Sequence, residues 1–144
     1  MSSFNLWYHP LYTDGIHDEA RFPKYRYQML LRRLEQSEQF NQITIRTPEP
    51  ISRDSLLLAH DATYVDAFLE EKLDEKEMRR IGLTPWTPKM IERTLCLTGG
   101  AVEATMHAVE HDAYVFAVNL IQQFQRAGKI MDKLHVEIFA TRQR

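Results

Sequence analysis

Short apolar segments alternate with longer stretches of helical periodicity along this 144-residue chain, and this alternation constrains the fold more than any other feature. The strand-like segments are 5–9, 43–46, 113–118 and 134–140. The helix-like segments are 24–39, 52–59, 62–71, 88–111 and 120–133. Helices that alternate with short buried strands are typical of an α/β domain with a mostly parallel sheet. We therefore predict one domain, residues 1–144, with three α/β/α layers, and we interpret residues 11–23 as a loop.

The longest predicted helix is the element with the clearest start. Thr87 is a suitable N-cap and Pro88 suits the first helical position, and the helix should continue to about His111. Gly99 and Gly100 interrupt it at a cost of about 2 kcal/mol relative to alanine, which predicts a close contact with the sheet. The pattern predicts a buried stripe of Ile91, Leu95, Val102, Thr105 and Val109.

Composition excludes several classes of function. The net charge of −2 gives no overall attraction to nucleic acid or to an anionic membrane. No apolar run approaches the roughly 18 residues that cross a bilayer, and the start MSSFNLWYHP lacks signal-peptide features. The single cysteine, Cys96, cannot form an internal disulfide and is predicted to be a buried thiol. We expect a cytoplasmic protein that binds neither nucleic acid nor membrane.

Four segments carry recognisable motifs in a fixed order. They are YHPLYTDGIH at 8–17 with RFPKY at 21–25, LAH at 58–60 with Tyr64 and Phe68, RRIGLTPWTP at 79–88, and TGG at 98–100 with Ala104 and Ala108. Together they resemble the N-terminal part of the histone deacetylase and acetoin-utilisation superfamily, in its bacterial, class IV-like branch.

The resemblance implies the arginase/deacetylase fold and hydrolysis of acetyl-lysine or related N-acyl amines. It implies a zinc ion held by two aspartates and a histidine, a histidine pair that moves the proton, and a tyrosine that stabilises the oxyanion. It also implies that Arg21, Phe22, Pro23 and Trp86 line the substrate channel. The alternative is that these side chains anchor their loops on the core.

The sequence departs from the superfamily after residue 111. Asn119 and Leu120 match the start of an NLAGGTHHA-like motif, but no histidine pair follows. The segment 132–135 lacks the spacing of a D.DVHQG-like zinc motif. We therefore divide the chain into a deacetylase-like part, 1–111, and a divergent tail, 112–144, and predict a truncated version of the fold without bound zinc. A truncated or frameshifted product and an internal deletion both remain open explanations.

Two groups of histidines could be read as metal sites. His9, Asp14, His17 and Glu19 fit no standard zinc spacing, and a solvated loop explains them. The H-x-x-E-H sequence ending at His111 places His107 and His111 four residues apart, a spacing that can bind zinc. Histidines near a helix C-terminus are favoured by the helix dipole in any case, so we give the zinc interpretation little weight.

Three functions follow from these features. The leading hypothesis is the N-terminal portion of a zinc-dependent deacetylase that is inactive as this chain. The alternative is a non-catalytic module that associates with itself or with a partner, because a shortened sheet exposes an edge and apolar faces. The third is a separate metalloenzyme that uses His107, Glu110 and His111. A catalytic pair of His60 and Tyr64 is less favoured than a buried contact between them.

Overall fold

The computed structural model describes residues 4–82, 84–115 and 141–142. The predicted helix 120–133 and strand 134–140 lie outside these residues. The elements are β1 (Phe4–Trp7), α1 (Leu11–Asp14), α2 (Arg26–Glu35), β2 (Ile43–Arg46), α3 (Arg53–Leu57), α4 (Ala62–Leu69), α5 (Glu75–Ile81), α6 (Pro88–Glu110), β3 (Tyr114–Val115) and β4 (Thr141–Arg142). A 3-10 turn, Glu38–Gln42, precedes β2. The fold class is α/β, as predicted, but the segment expected to be a loop from residue 11 begins with the short helix α1.

The described strands form one sheet in the order β2-β1-β4-β3. The longest pairing, β1 with β2, is parallel and sets Phe4 opposite Ile43. The two-residue strand β4 pairs antiparallel with both β1 and β3, and these antiparallel pairings were not predicted. Asn5 and Trp7 alternate with Phe4 and Leu6 along β1 and are its buried residues, as expected for a strand with one face against a helix.

Helix α6 contacts β1, β3, β4 and α1 and is the longest described element. The predicted stripe is correct at Ile91 but wrong at Val102 and Val109, which are exposed, as is Thr105. The residues that α6 buries are Met90, Ile91, Arg93, Cys96, Leu97, Gly99, Gly100, Ala104 and Ala108. Small residues bring the helix close to its neighbours, but their low hydrophobicity does not reveal this face in a hydropathy pattern.

The Gly99-Gly100 pair makes the close contact that was predicted, but with a different partner. A Cβ at Gly99 would overlap the Glu49 carbonyl oxygen, and one at Gly100 would lie 2.9 Å from the Tyr12 hydroxyl and 3.2 Å from Pro48 Cβ. The contact is therefore with the segment 47–51 between β2 and α3, not with the sheet. The Ile51 amide also donates to the Leu95 carbonyl at 3.1 Å.

Helix starts follow the capping residues of the sequence. Ser52 is the N-cap of α3, and its side chain accepts a hydrogen bond from the Ser55 amide. Asp74 and Glu77 form a capping box at the start of α5. Thr87 is the N-cap of α6, as predicted, although its side chain makes no capping hydrogen bond. In the described part of the chain, no helix is both long and apolar enough to cross a membrane.

Candidate functional site

The predicted channel residues Phe22 and Trp86 pack on the same part of the core, near the N-terminal end of α6. Both contact the buried cluster of Leu73, Ile81 and Met90. The Trp86 ring also meets the Phe68 ring edge to face, with centroids 5.3 Å apart. Arg21 and Pro23 are exposed. The structure thus brings two of the four predicted residues together, and their role in a channel stays a prediction.

Phe22 also covers a buried arginine that the sequence analysis missed. Arg93 is only 1% exposed, and its Cζ lies 5.6 Å from the centre of the Phe22 ring. Its Nε donates to the Tyr12 carbonyl at 3.0 Å, whereas its buried Nη1 finds no hydrogen-bond partner. Burial lowers the pKa of Arg93 to about 10. Residues 93, 97, 100, 104 and 108 share one helical face, and that spacing was the signal available in the sequence.

Tyr12 and Cys96 lie beside this arginine in a second buried cluster. The cluster contains Tyr12, Tyr27, Cys96 and Leu97. The Tyr12 hydroxyl donates to the Cys96 carbonyl at 3.4 Å, and burial raises the pKa of Tyr12 well above its ordinary value. Burial also raises the pKa of the Cys96 thiol, so the thiol is held neutral. The prediction of a buried thiol is confirmed.

A polar network joins the C-terminal half of α6 to the two parallel strands. Asn5 Nδ2 donates to His107 Nε2 at 2.9 Å, and Arg46 Nε donates to Asn5 Oδ1 at 2.6 Å. Trp7 Nε1 donates to Glu103 Oε2 at 2.9 Å. Both polar atoms of the Asn5 side chain therefore have a hydrogen-bond partner, and His107 Nε2 acts as an acceptor.

The histidines of the H-x-x-E-H sequence are oriented for hydrogen bonding. The His107 and His111 rings lie 4.0 Å apart between centroids, and His111 Nδ1 is 2.8 Å from the His107 carbonyl oxygen. Since the Asn5 amide donates to His107 Nε2, the lone pair of that nitrogen is not free to bind a metal that His107 and His111 would share. The pKa of His107 is lowered, first by burial and then by the neighbouring His111 and Arg46.

The other group considered as a metal site, in the loop after β1, contains two histidines that accept local hydrogen bonds. His9 Nδ1 accepts from the Leu11 amide at 3.1 Å, and His17 Nδ1 accepts from the Glu19 amide at 3.2 Å. Across the described residues, no three His, Cys, Asp or Glu side chains are grouped so that they could hold a metal ion. These donors therefore do not fit the three-ligand zinc site that the family resemblance implies.

His60 and Tyr64 line a small apolar pocket between α4 and α6. Their ring centroids are 6.4 Å apart, and His60 precedes Asp61, the N-cap of α4, so the two residues do not share that helix. The pocket volume is about 40 Å³, well below the roughly 150 Å³ of an apolar cavity that holds benzene. Its lining residues are Leu56, His60, Tyr64, Val65, Phe68, Thr94, Leu95 and Thr98. The small size of this pocket supports the interpretation that His60 and Tyr64 make a packing contact.

Two comparisons with known proteins bear on the identity of the chain. A family model described as histone deacetylase domain matches residues 20–121. An uncharacterized protein of Picosynechococcus sp. is 34% identical over 108 residues, which cover 75% of this chain and 36% of that protein. The chain thus spans little more than a third of the length of this curated relative. The matched domain carries the arginase/deacetylase fold, with which the described sheet and helices are compatible. The chain belongs to the histone deacetylase domain family.

Proposed function

We propose that the chain is the N-terminal portion of a zinc-dependent, deacetylase-type amidohydrolase and that these 144 residues are inactive by themselves. The intact family would hydrolyse acetyl-lysine or related N-acyl amines. One observation carries the proposal: the domain match covers residues 20–121, while the six histidines, at 9, 17, 60, 107, 111 and 135, include no adjacent pair.

The proposal gives the described residues a scaffolding role beside the reaction. Helix α6 contacts β1 and α1. With Leu73 and Ile81, its residue Met90 forms the corner of the core on which Phe22 and Trp86 pack. At a channel wall these aromatic side chains would contact the apolar part of an acyl-amine substrate and exclude water from it. We also propose a cytoplasmic location, which the buried, unpaired Cys96 favours.

An activity assay on the purified 144-residue chain tests the inactivity. The chain is incubated with an acetyl-lysine peptide and added zinc, and acetate release is measured. We expect a rate no higher than in the same sample treated with a metal chelator. Zinc-dependent release that scales with the concentration of the chain, and that Phe22→Ala or Trp86→Ala lowers, would contradict inactivity and support the channel role.

Self-association is a second proposal, and exposed side chains on α6 support it. Val102, Met106 and Val109 are 46%, 52% and 73% exposed, and they continue the helix face whose earlier residues, Leu95 and Thr98, line the pocket against α4. Sedimentation equilibrium tests the proposal. We expect a mass that rises with protein concentration in the original chain and a constant monomer mass in a Val102→Glu, Val109→Glu variant. A concentration-independent monomer in both would contradict it.

A further inference from the structure

Arg93 is a buried cation that forms no ion pair with a carboxylate in the part of the chain that the structure describes. The ion pairs found among the described residues join Lys24 to Asp18, Arg53 to Asp66, Lys72 to Glu70 and Arg79 to Glu75, and none of them includes Arg93. Its Nε uses the Tyr12 carbonyl, but Nη1 is buried and has no partner. Buried charges in proteins are normally paired or bound to a counter-ion, so this site is electrostatically incomplete.

The surroundings of Arg93 add positive charge. Arg26 Cζ lies 5.1 Å from the centre of the same Phe22 ring, and both guanidinium groups also approach the Tyr27 ring, at 5.2 and 6.0 Å. The aromatic faces stabilise the Arg93 cation in part, but they accept no conventional hydrogen bond from its Nη1. The lowered pKa of Arg93, about 10, still leaves the side chain protonated at neutral pH.

A second unpartnered donor lies at the same corner. Trp86 Nε1 is buried without a hydrogen-bond partner, and Trp86 packs with Phe22 on the Leu73, Ile81 and Met90 cluster. Phe22 is half-buried between the exposed residues Arg21 and Pro23, so the ring that covers Arg93 belongs to a surface segment. The corner therefore offers buried donors and positive charge close to the surface, which is the environment that an anion requires.

We propose that Arg93 binds a small oxyanion, a carboxylate or a phosphate, through Nη1 beneath the Phe22 ring. The anion would supply the missing counter-charge and accept the unused hydrogen bond. This inference does not depend on deacylase activity, because it concerns a binding equilibrium of the folded chain.

Thermal unfolding of the purified chain tests the proposal. Sodium chloride is replaced by sodium acetate or sodium phosphate at constant ionic strength, and Tm is measured as a function of anion concentration. A ligand at one hundred times its Kd raises Tm by about 5–10 °C in a domain of this size. We expect Tm to rise to a plateau with increasing concentration of acetate, phosphate or both. The salt that raises Tm shows whether the site prefers a carboxylate or a phosphate. A Tm that changes equally in all three salts overturns the proposal.

Substitutions locate the effect. Arg93→Met keeps the length and apolar stem of the side chain and should abolish the anion-dependent rise, whereas Arg53→Met, which breaks the exposed pair with Asp66, should retain it. A rise that persists in Arg93→Met overturns the proposal. If Arg93→Met does not fold, calorimetric titration of Arg93→Lys decides, because lysine keeps the charge but loses the planar fork. We expect its affinity to fall at least tenfold, and an unchanged affinity contradicts the assignment.

Discussion

Gly99 shows how a single residue fixes the position of the longest helix. Its missing side chain lets α6 lie directly against the Glu49 carbonyl, and the Leu95 carbonyl accepts from the Ile51 amide one turn earlier. The sequence indicated that the glycine pair needed a close neighbour. It did not indicate which segment that neighbour was, because helix periodicity contains no information about the partner.

Gly99→Ala should therefore destabilise the chain even though alanine is the better helix former by about 1 kcal/mol. The added Cβ would collide with backbone that cannot rotate away, and overpacking of this kind costs about 1–3 kcal/mol or more. We expect the free energy of unfolding in urea to fall by about 2 kcal/mol. Thr105→Ala on the exposed face is the control and should change it by less than about 0.5 kcal/mol. Equal stability of Gly99→Ala and the original chain would show that the contact is not formed.

His107 gives the chain a stability that depends on pH. Burial and the neighbouring positive groups lower its pKa in the folded state, so the unfolded chain takes up the proton more readily. The contribution is full above the ordinary imidazole pKa of about 6.5 and decreases as the pH falls through the folded pKa. Protonation also prevents Nε2 from accepting the Asn5 hydrogen bond.

The His107→Gln variant checks this dependence. Glutamine does not titrate, and its amide oxygen can accept from Asn5. The urea midpoint of the original chain should be lower at pH 5 than at pH 7.5, and the variant should show a smaller difference. If both proteins lose the same stability on acidification, His107 does not contribute to it.

Among the elements, α6 has two faces, and the sequence did not indicate which of them is more deeply buried. One face contains Ile91, Leu95, Val102 and Val109 and has the stronger apolar pattern. The other contains Arg93, Gly100, Ala104 and Ala108 and is the one buried along the whole helix. On the first face, Ile91 is buried and Leu95 lines the pocket with Leu56 and Val65, whereas Val102 and Val109 are exposed. Leu30 on α2 is also 37% exposed, and Tyr27 is the buried residue of that helix.

The capping box of α5 is an element-level feature that can be tested directly. The Glu77 amide donates to Asp74 Oδ1 at 2.7 Å, and the Asp74 amide donates to Glu77 Oε2 at 3.0 Å. Asp74→Ala should cost about 1 kcal/mol of unfolding free energy in urea, and Asp74→Asn should cost less because its side-chain oxygen still caps. Lys76→Ala, in the same helix, serves as the control. An alanine variant as stable as the asparagine variant would count against the cap.

At the scale of the whole molecule, α6 holds the described parts together. It contacts the first helix, the central strand β1 and both short strands. Among the described elements, α2 mainly contacts α1 and the turn that follows it, and it reaches α6 through Tyr27, which packs with Cys96 and Leu97. The domain assignment to residues 1–111 and 112–144 stays a prediction, and the matched deacetylase region extends to residue 121.

Hydrogen exchange should reflect this organisation. Amides buried in well-packed elements open only with global or large-scale unfolding, while those of poorly covered helices open locally. We expect the slowest exchange in residues 95–104 of α6 and clearly faster exchange in residues 30–35 of α2, measured by mass spectrometry on peptides. Equal protection of the two segments would contradict α6 as the stable centre.

From the sequence alone we could predict the order of most elements, the bounds of β2, the starts of α3 and α6, and membership of a deacetylase family, because capping residues, prolines and local motifs act over a few neighbouring positions. Three features became visible in the folded chain alone: which face of α6 is buried, which segment lies against Gly99, and the position of Arg93 beneath Phe22. Burial depends on which surfaces fit closely together. Small residues and an aromatic-covered guanidinium permit close packing without the hydrophobicity that a sequence pattern detects.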